Sequence, residues 1–445
     1  MKEIKYLVFT AILICGAMNT TAQTIKEELR ADARRAAGID YALTLEESPH
    51  DTPPPAGKKP FYIHHYGTPS PYYLDRPEFY DDPYQTLSHA DSLGKLSELG
   101  RLILCKVALL RDDAQGRTNE LTEIGKQQAR KFARQLKQRF PEIFTNKLYV
   151  DGRAIVQNNC LLTLGETALQ LSLAHQPLKM SINASYRFQP WMDPQDDKLA
   201  NQRRDSLTLA IYEDFTSRLA PHNTELMAKL FNDADYASKI DATALSRQLF
   251  DLAGCSQYVE IANQSTSATG NSLNSLYDLF TPEDLHRHWI RRNAWAYLSY
   301  GCCTLNGGHQ SYSQRRPLWN LIHMGDSVLT LDYPVIQLRY TREKVVMSLA
   351  CLLELDNYGL ETGNLDSLEA YGWADYRISP LGGSIMMVYY RTDKNDPDPL
   401  VRVLLNGREA RLPIESDCAP YYHWKDIKRY YLRKLYIYAR ERNNE

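Results

Sequence analysis

The sequence lacks an excess of charge of either sign. Its 445 residues include 52 Lys and Arg against 54 Asp and Glu, which gives a formal net charge of -2. A protein that binds nucleic acid by neutralising phosphates needs a basic field, so this balance argues against a nucleic-acid partner. It leaves room for a small cationic pocket that takes a small molecule.

Long apolar runs are also missing beyond the N-terminus. The best later candidate, residues 344–355, is too short for a membrane span, which needs about 20 residues. Near the start, Lys2 and Lys5 precede an apolar run, and small residues lead up to Gln23. This layout is typical of a signal peptide. We therefore predict a signal peptide over 1–22 and no transmembrane span after its cleavage. The mature chain is expected in the periplasm or outside the cell, with association with the outer membrane as an alternative.

The sequence has no CxxC pair, Walker loop, GxSxG elbow or GxGxxG motif. These absences argue against a zinc site, a nucleotide-binding loop and a serine-hydrolase elbow. Removal of Cys15 with the signal peptide would leave seven of the 8 cysteines, and an odd number argues against a complete disulfide framework. His286 and His288 would face different sides of a helix. We therefore predict no metal and no cofactor.

Strand and helix patterns are mixed along the chain, as in an α/β fold. A β-prone run over 61–66 ends at Gly67 and leads into a loop with prolines, and Thr122 is placed to cap an amphipathic helix over 123–139. Further strands are predicted at 147–151, 334–340, 384–391, 400–405 and 408–412, with a turn at Asn406-Gly407, and further helices at 25–37, 282–300, 343–355 and 425–440.

A polar, helix-rich middle separates the two parts of this α/β pattern. Proline-rich residues 52–55 end an N-terminal segment that we interpret as an arm on the surface. The predicted division is a signal peptide (1–22), an N-terminal arm (23–57), a first core part (58–185), an inserted α-helical cap (186–330) and a second core part (331–445).

Several segments resemble a known family: PFYIHHYG (60–67), ELTEIGKQQARKFARQLKQRFPEIF (120–144), SLYDLFTPEDLHRHWIRRNAWAYLSYG (275–301), VIQLRY (335–340), LVRVLLNGREARLP (400–413) and APYYHW (419–424). Through them the chain resembles the histidine acid phosphatases, specifically the secreted bacterial multiple inositol polyphosphate phosphatases and phytases. The resemblance implies an α/β core, with a sheet flanked by helices, and an inserted α-helical cap. It also implies phosphomonoester hydrolysis, with inositol polyphosphates as the substrate class.

The first motif of this family departs from its pattern here. The family carries an RHGxRxP loop after the first strand. After His64-His65-Tyr66-Gly67, this chain has Thr68, Pro69 and Tyr72 where we place the first arginine, the nucleophilic histidine and the second arginine. A phosphohistidine intermediate needs an imidazole nitrogen, and proline has no side-chain lone pair. The resemblance thus implies that Pro69 has replaced the nucleophile.

Two further motifs are also changed. The arginine motif after the second strand retains Arg153 but has Asn159 in place of its second arginine, and the proton-donor motif after a late strand becomes Arg342-Glu343. Arginine keeps its proton, so Arg342 cannot be a general acid, whereas Glu343 can. The candidate phosphate-binding residues are Arg153 and Arg342, and the remaining candidate catalytic residues are His65, Ser70 and Glu343.

Three functions are compatible with these residues. The leading hypothesis is a catalytically impaired phosphatase-fold protein, because phosphoryl transfer depends on positioning and charge stabilisation that the changed motifs have lost. The second is an active phosphatase in which His65, or Ser70 activated by a histidine, attacks phosphorus. The third is a non-catalytic protein that binds an anion, such as an inositol phosphate, or another protein. Whether the chain is an enzyme stays open at this point.

Overall fold

A computed structural model describes residues 25–46, 51–219, 223–259 and 275–444. The predicted signal peptide lies outside these ranges. The strands are β1 (Lys59–Gly67), β2 (Tyr149–Ala154), β3 (Lys179–Ala184), β4 (Val335–Tyr340), β5 (Ser384–Arg391), β6 (Leu400–Leu405), β7 (Arg408–Ala410) and β8 (Tyr421–His423). They form an eight-stranded sheet with the order β3-β2-β4-β1-β5-β6-β7, in which β8 pairs with β6.

The helices lie between and around these strands. They are α1 (25–31), α2 (Glu78–Ser92), α3 (Glu98–Ala114), α4 (Glu123–Arg139), α5 (Asn158–Ala174), α6 (Gln189–Met192), α7 (Asp197–Gln202), α8 (Ser206–Ser217), α9 (Asn223–Leu230), α10 (Ala234–Ala237), α11 (Ala242–Ser256), α12 (Pro282–Tyr300), α13 (Arg315–Leu329), α14 (Glu343–Leu352), α15 (Asp375–Ile378) and α16 (Trp424–Asn444). Short 3-10 helices span Ala33–Asp40, Pro141–Ile143, Tyr186–Phe188, Leu276–Leu279, Thr304–Asn306, Gln310–Gln314, Leu355–Asn357 and Leu365–Ser367.

Strands β3, β2, β4 and β1 are parallel, and β5 to β8 add antiparallel pairs. Gly67 of β1 lies beside Tyr340 of β4, which lies beside Ala154 of β2. The loops that follow these three strands therefore leave the sheet side by side. In open α/β sheets, ligands bind at this carboxyl edge.

Helices cover both faces of the sheet. On one face, Leu136 of α4 and Leu164 of α5 share an apolar cluster with Ile63 and Ile336. On the other face, α12, α13, α14 and α16 contribute to a second cluster. This cover explains why β4 is buried at every residue, as the sequence predicts.

A third apolar cluster joins helices that are far apart in the sequence. Leu87 of α2 and Ile103 of α3 pack in it with Leu230 of α9 and Leu249 of α11. The helices of the third cluster therefore come from the predicted first core part as well as from the predicted cap, residues 186–330.

The N-terminal segment, residues 25–46, also contributes to the third cluster. Ile25 and Leu29 of α1 are buried in the third cluster, so the predicted N-terminal arm packs these apolar side chains against the helices of that cluster. The predicted helix over 25–37 is also interrupted, because the Asp32 carboxylate accepts the N–H of Arg34 and begins a 3-10 helix. Most other predicted elements are confirmed within a few residues, including α4, whose Thr122 hydroxyl accepts the N–H of Gly125.

Candidate functional site

The residues singled out by the motif comparison meet at the carboxyl edge of the parallel strands. Pro69 follows β1, Arg342 follows β4, and Arg153 lies near the end of β2. Backbone hydrogen bonds tie these ends together, from Thr341 N to Gly67 O (2.9 Å) and from Ile155 N to Tyr340 O (3.1 Å). We call this region the edge site.

The loop after β1 is buried and firmly held. The hydroxyl of Thr68 donates to Pro380 O (2.7 Å), and Pro69 O accepts the N–H of Gly382 (2.8 Å). On the other side, the N–H of Ser70 donates to the hydroxyl of Thr163 on α5 (3.0 Å). The loop is thus fixed between the segment before β5 and the first turns of α5.

His64 and His65 are buried, point to opposite faces of the sheet, and each packs against neighbouring aromatic rings. The His65 ring packs against Phe132 and Tyr340, with centroids 4.9 and 5.2 Å away, and burial lowers its pKa to about 3. The Nδ1 of His64 hydrogen-bonds to the hydroxyl of Tyr62 (2.9 Å), and burial holds its pKa well below the usual range. Among the described residues, neither imidazole hydrogen-bonds to Ser70. Both rings are therefore neutral packing groups.

Tyr66 is a residue of the edge site that the sequence did not single out. Gly67 and Pro71 have the spacing of the glycine and proline in RHGxRxP, and in that register Tyr66 takes the nucleophile position. Tyr66 lies beside Arg339 in the strand register, its hydroxyl donates to Trp191 O (2.9 Å), and burial raises its pKa to about 12. In either register, the nucleophile position has no imidazole.

Two arginines share one carboxylate beneath this edge. Arg339 donates to Asp151 Oδ2 (2.6 Å), and Arg153 donates to Asp151 Oδ1 (3.1 Å). The Arg153 guanidinium also lies 4.3 Å above the ring of Phe188. Arg339 and Asp151 were not among the predicted site residues, although a charged residue inside a buried strand such as VIQLRY indicates a buried partner.

Arg342 also has a carboxylate partner. Its Nε lies 3.3 Å from Asp193 Oδ2, with the Arg342 side chain 43% exposed and that of Asp193 2% exposed. Asp193 directly follows α6, which lies across the edge because Met192 O accepts the hydroxyl of Thr341 (2.8 Å). The edge site thus contains both predicted phosphate-binding arginines, and each forms an ion pair with an aspartate.

The remaining predicted residues lie close by. The hydroxyl of Tyr72 donates to Glu343 Oε1 (3.3 Å) at the start of α14. Burial raises the pKa of Glu343 to about 7, although the bond from Tyr72 and the charge of Arg342 oppose the shift. Glu343 can therefore hold a proton near neutral pH. Asn159 is buried in the first turn of α5, where its side-chain oxygen accepts the N–H of Cys160.

The sheet, its covering helices and the edge site define the class of the fold. It is the histidine acid phosphatase fold of inositol polyphosphate phosphatases and phytases, and the fold predicted from the resemblance is confirmed. Among solved structures, the chain is similar to the apo multiple inositol polyphosphate phosphatase of Bifidobacterium longum, with a TM-score of 0.72 and 13% identity over 88% of this chain and 97% of that chain.

Two further structures support the same fold. The B. longum enzyme in complex with inositol hexasulfate has a TM-score of 0.70, 13% identity and the same two coverages. The phytase from D. castellii has a TM-score of 0.59 and 13% identity, over 90% of this chain and 85% of that chain. No protein-family model and no curated protein matches the sequence. In the described ranges, no helix has the length and apolar composition needed to cross a membrane.

Proposed function

We propose that this chain is a phosphatase-fold protein that has lost phosphomonoester hydrolysis and retains a weak site for a phosphorylated small molecule such as an inositol phosphate. The lack of an imidazole at the nucleophile position carries the proposal. Pro69 or Tyr66 stands there, depending on the motif register, and Tyr66 keeps its proton because burial raises its pKa to about 12. Without an ionised or imidazole nucleophile, the covalent step of the family reaction has no starting group.

The pairing of the arginines supports the same proposal. A phosphatase needs cationic groups aimed at the transferring phosphoryl group. Here Arg153 and Arg339 face Asp151, and Arg342 faces Asp193. Three arginines against two aspartates leave a small positive excess, which favours weak anion binding over transition-state stabilisation.

The hypothesis of a displaced nucleophile has less support. To activate Ser70, a histidine would have to accept its proton from within hydrogen-bonding distance. The ring of His65 instead packs between Phe132 and Tyr340, and its low pKa makes it a poor base. His65 as the attacking group would also need to leave this packing.

A hydrolysis assay tests the loss of activity. The purified chain is incubated with phytate and with a chromogenic phosphomonoester from acidic to slightly alkaline pH, with the B. longum enzyme as the positive control. We expect no phosphate release above a heat-treated blank. Release that disappears in Glu343→Gln or Tyr66→Phe would contradict the proposal, because it would assign chemistry to the edge site.

Calorimetry with inositol hexakisphosphate tests the anion site separately. We expect weak binding that falls with added salt and is weakened in Arg153→Ala and Arg342→Ala. Arg218→Ala is the matched control, because Arg218 is an exposed arginine with its own carboxylate partner, Asp366. Binding that responds equally to all three variants would argue against a site at the edge.

Export is part of the same proposal and depends on the signal-peptide layout of residues 1–22. We expect the chain isolated from the periplasm or medium to begin at Gln23. N-terminal sequencing of the cell fractions checks this, and a cytoplasmic chain that retains Lys2 would contradict it.

A further inference from the structure

A second cluster of chemically reactive side chains lies at the end of the sheet opposite the edge site. His423 of β8 pairs with Leu400, the first residue of β6, whereas the end of β6 is the part that approaches the edge site. Around His423, the chain turns through residues 415–426 and lines an open cleft of about 670 Å3. The cleft is lined by Glu415, Ser416, Asp417, His423, Lys425 and Asp426.

Three different donor types converge beside this cleft. A carboxylate oxygen of Asp417, the sulfur of Cys418 and a ring nitrogen of His423 all lie within 4.8 Å of one another. Asp417 is exposed, and Cys418 and His423 are half-buried. A metal ion can therefore reach the group from solvent with little rearrangement of the backbone.

The partners of His423 resemble the outer shell of a metal site. Its Nδ1 hydrogen-bonds to Asp398 Oδ2 (2.7 Å), while its Nε2 faces Asp417 Oδ1 (2.9 Å). In metal sites, a ligating histidine commonly donates its second ring N–H to a carboxylate, which fixes the ring and its tautomer. The other carboxylate oxygen of Asp398, Oδ1, is buried, has no hydrogen-bond partner among the described residues, and lies 3.6 Å from the ammonium of Lys425.

We propose that Asp417, Cys418 and His423 form a binding site for a divalent transition metal ion, with Zn2+ as the ion that suits them best. Thiolate and imidazole ligands favour zinc over magnesium or calcium, which prefer oxygen donors alone. Three protein ligands leave one tetrahedral position for water. On binding, the S–H bond of Cys418 breaks, the sulfur binds the metal, and the proton passes to solvent.

This proton release gives the site a pH dependence. The sulfur of Cys418 must lose its proton to bind the metal. The same lone pair must bind either the proton or the metal, so affinity should fall as the pH is lowered.

Titration of the chelator-treated chain with Co2+ and then Zn2+ tests the proposal. We expect one Co2+ per chain, a sulfur-to-cobalt charge-transfer absorption, and its loss when Zn2+ displaces the cobalt. Cys418→Ser should abolish the absorption, and His423→Ala should abolish tight binding. Asp398→Asn should weaken Zn2+ binding by about 10- to 100-fold, as for other outer-shell carboxylates.

Cys105→Ser is the matched control, because Cys105 is an exposed free thiol elsewhere on the chain, and it should bind as the wild type does. Thermal melting of each variant without metal checks that the fold is intact. If His423→Ala does not fold, the near-isosteric Cys418→Ser decides the question alone. No charge-transfer absorption in the wild type, or an absorption that persists in Cys418→Ser, would overturn the proposal.

Discussion

Replacement of Asp151 by asparagine should strongly destabilise the protein, because this one carboxylate neutralises two arginines. The Arg339 side chain is 3% exposed and donates to Asp151 over 2.6 Å, and Arg153 pairs with the same carboxylate. Breaking a buried ion pair by removing one partner costs about 3–5 kcal/mol, since the remaining charge stays desolvated. Arg339 would keep its hydrogen bonds to the backbone carbonyls of Asp151 and Leu338. We therefore expect a loss at the lower end, about 3 kcal/mol.

Urea unfolding measures this loss as a lower transition midpoint with an unchanged slope. Asp366→Asn is the control, because Asp366 is 59% exposed and pairs with an equally exposed Arg218, so it should cost less than about 1 kcal/mol. A loss for Asp151→Asn no larger than that of the control would refute the buried pairing. Arg153 and Arg339 would then be free cations at the edge site, and the proposed weakness of anion binding would lose its basis.

Two other changes have a defined direction. Burial raises the pKa of Glu343 from the usual 4.5 to about 7, so the proton it holds stabilises the fold fully below pH 4.5 and progressively less as the pH rises to 7. The free energy of unfolding of Glu343→Gln in urea should therefore match that of the wild type below pH 4.5 and exceed it above pH 7 by on the order of 3 kcal/mol. The exposed control Glu361→Gln should match the wild type at both pH values. An equal gain for Glu343→Gln at both pH values would contradict this prediction. Gly125→Ala should lower the free energy of unfolding in urea by about 1–3 kcal/mol, because the new Cβ on α4 would clash with the carbonyl of Pro71. Gly165→Ala is the control on α5, where a new Cβ meets open space, and it should raise the free energy of unfolding by about 0.5–1 kcal/mol. Equal effects of the two substitutions would contradict this prediction.

Elements with a local cause could be predicted from the sequence. Thr122 caps α4 through an N–H three residues away, and Thr281 with Pro282 begins α12 in the same way. The hairpin between β6 and β7 follows from Asn406-Gly407, both of which have positive φ angles. Such features depend on residues within one turn, so a pattern in the sequence contains all the necessary information.

Long-range packing could not be predicted in this way. The cluster that joins Ile25, Leu87 and Leu249 brings together three segments with no shared pattern. Strand β3, an edge strand with no fully buried residue, was missed although its sequence KMSINA alternates polar and apolar side chains.

The location of the candidate site could be predicted from the sequence, but the carboxylate partners of its arginines could not. Strand ends indicated where Arg153 and Arg342 meet, but nothing near Arg342 in the sequence points to Asp193, which comes from a different segment. The proposed metal ligands were missed for a related reason. Zinc sites are recognised in a sequence mainly by paired cysteines, whereas Asp417, Cys418 and His423 combine three residue types between positions 417 and 423.

The position of β1 in the sheet has a consequence for how the chain is made. Both neighbours of β1 come late in the sequence: β4 begins at Val335 and β5 ends at Arg391. Until residue 391 has left the ribosome, the first strand to be synthesised has no native partner on at least one side. The sheet can therefore close only after nearly the whole chain is synthesised, and nascent fragments that stop before β5 would expose an apolar strand edge and depend on chaperones to avoid aggregation.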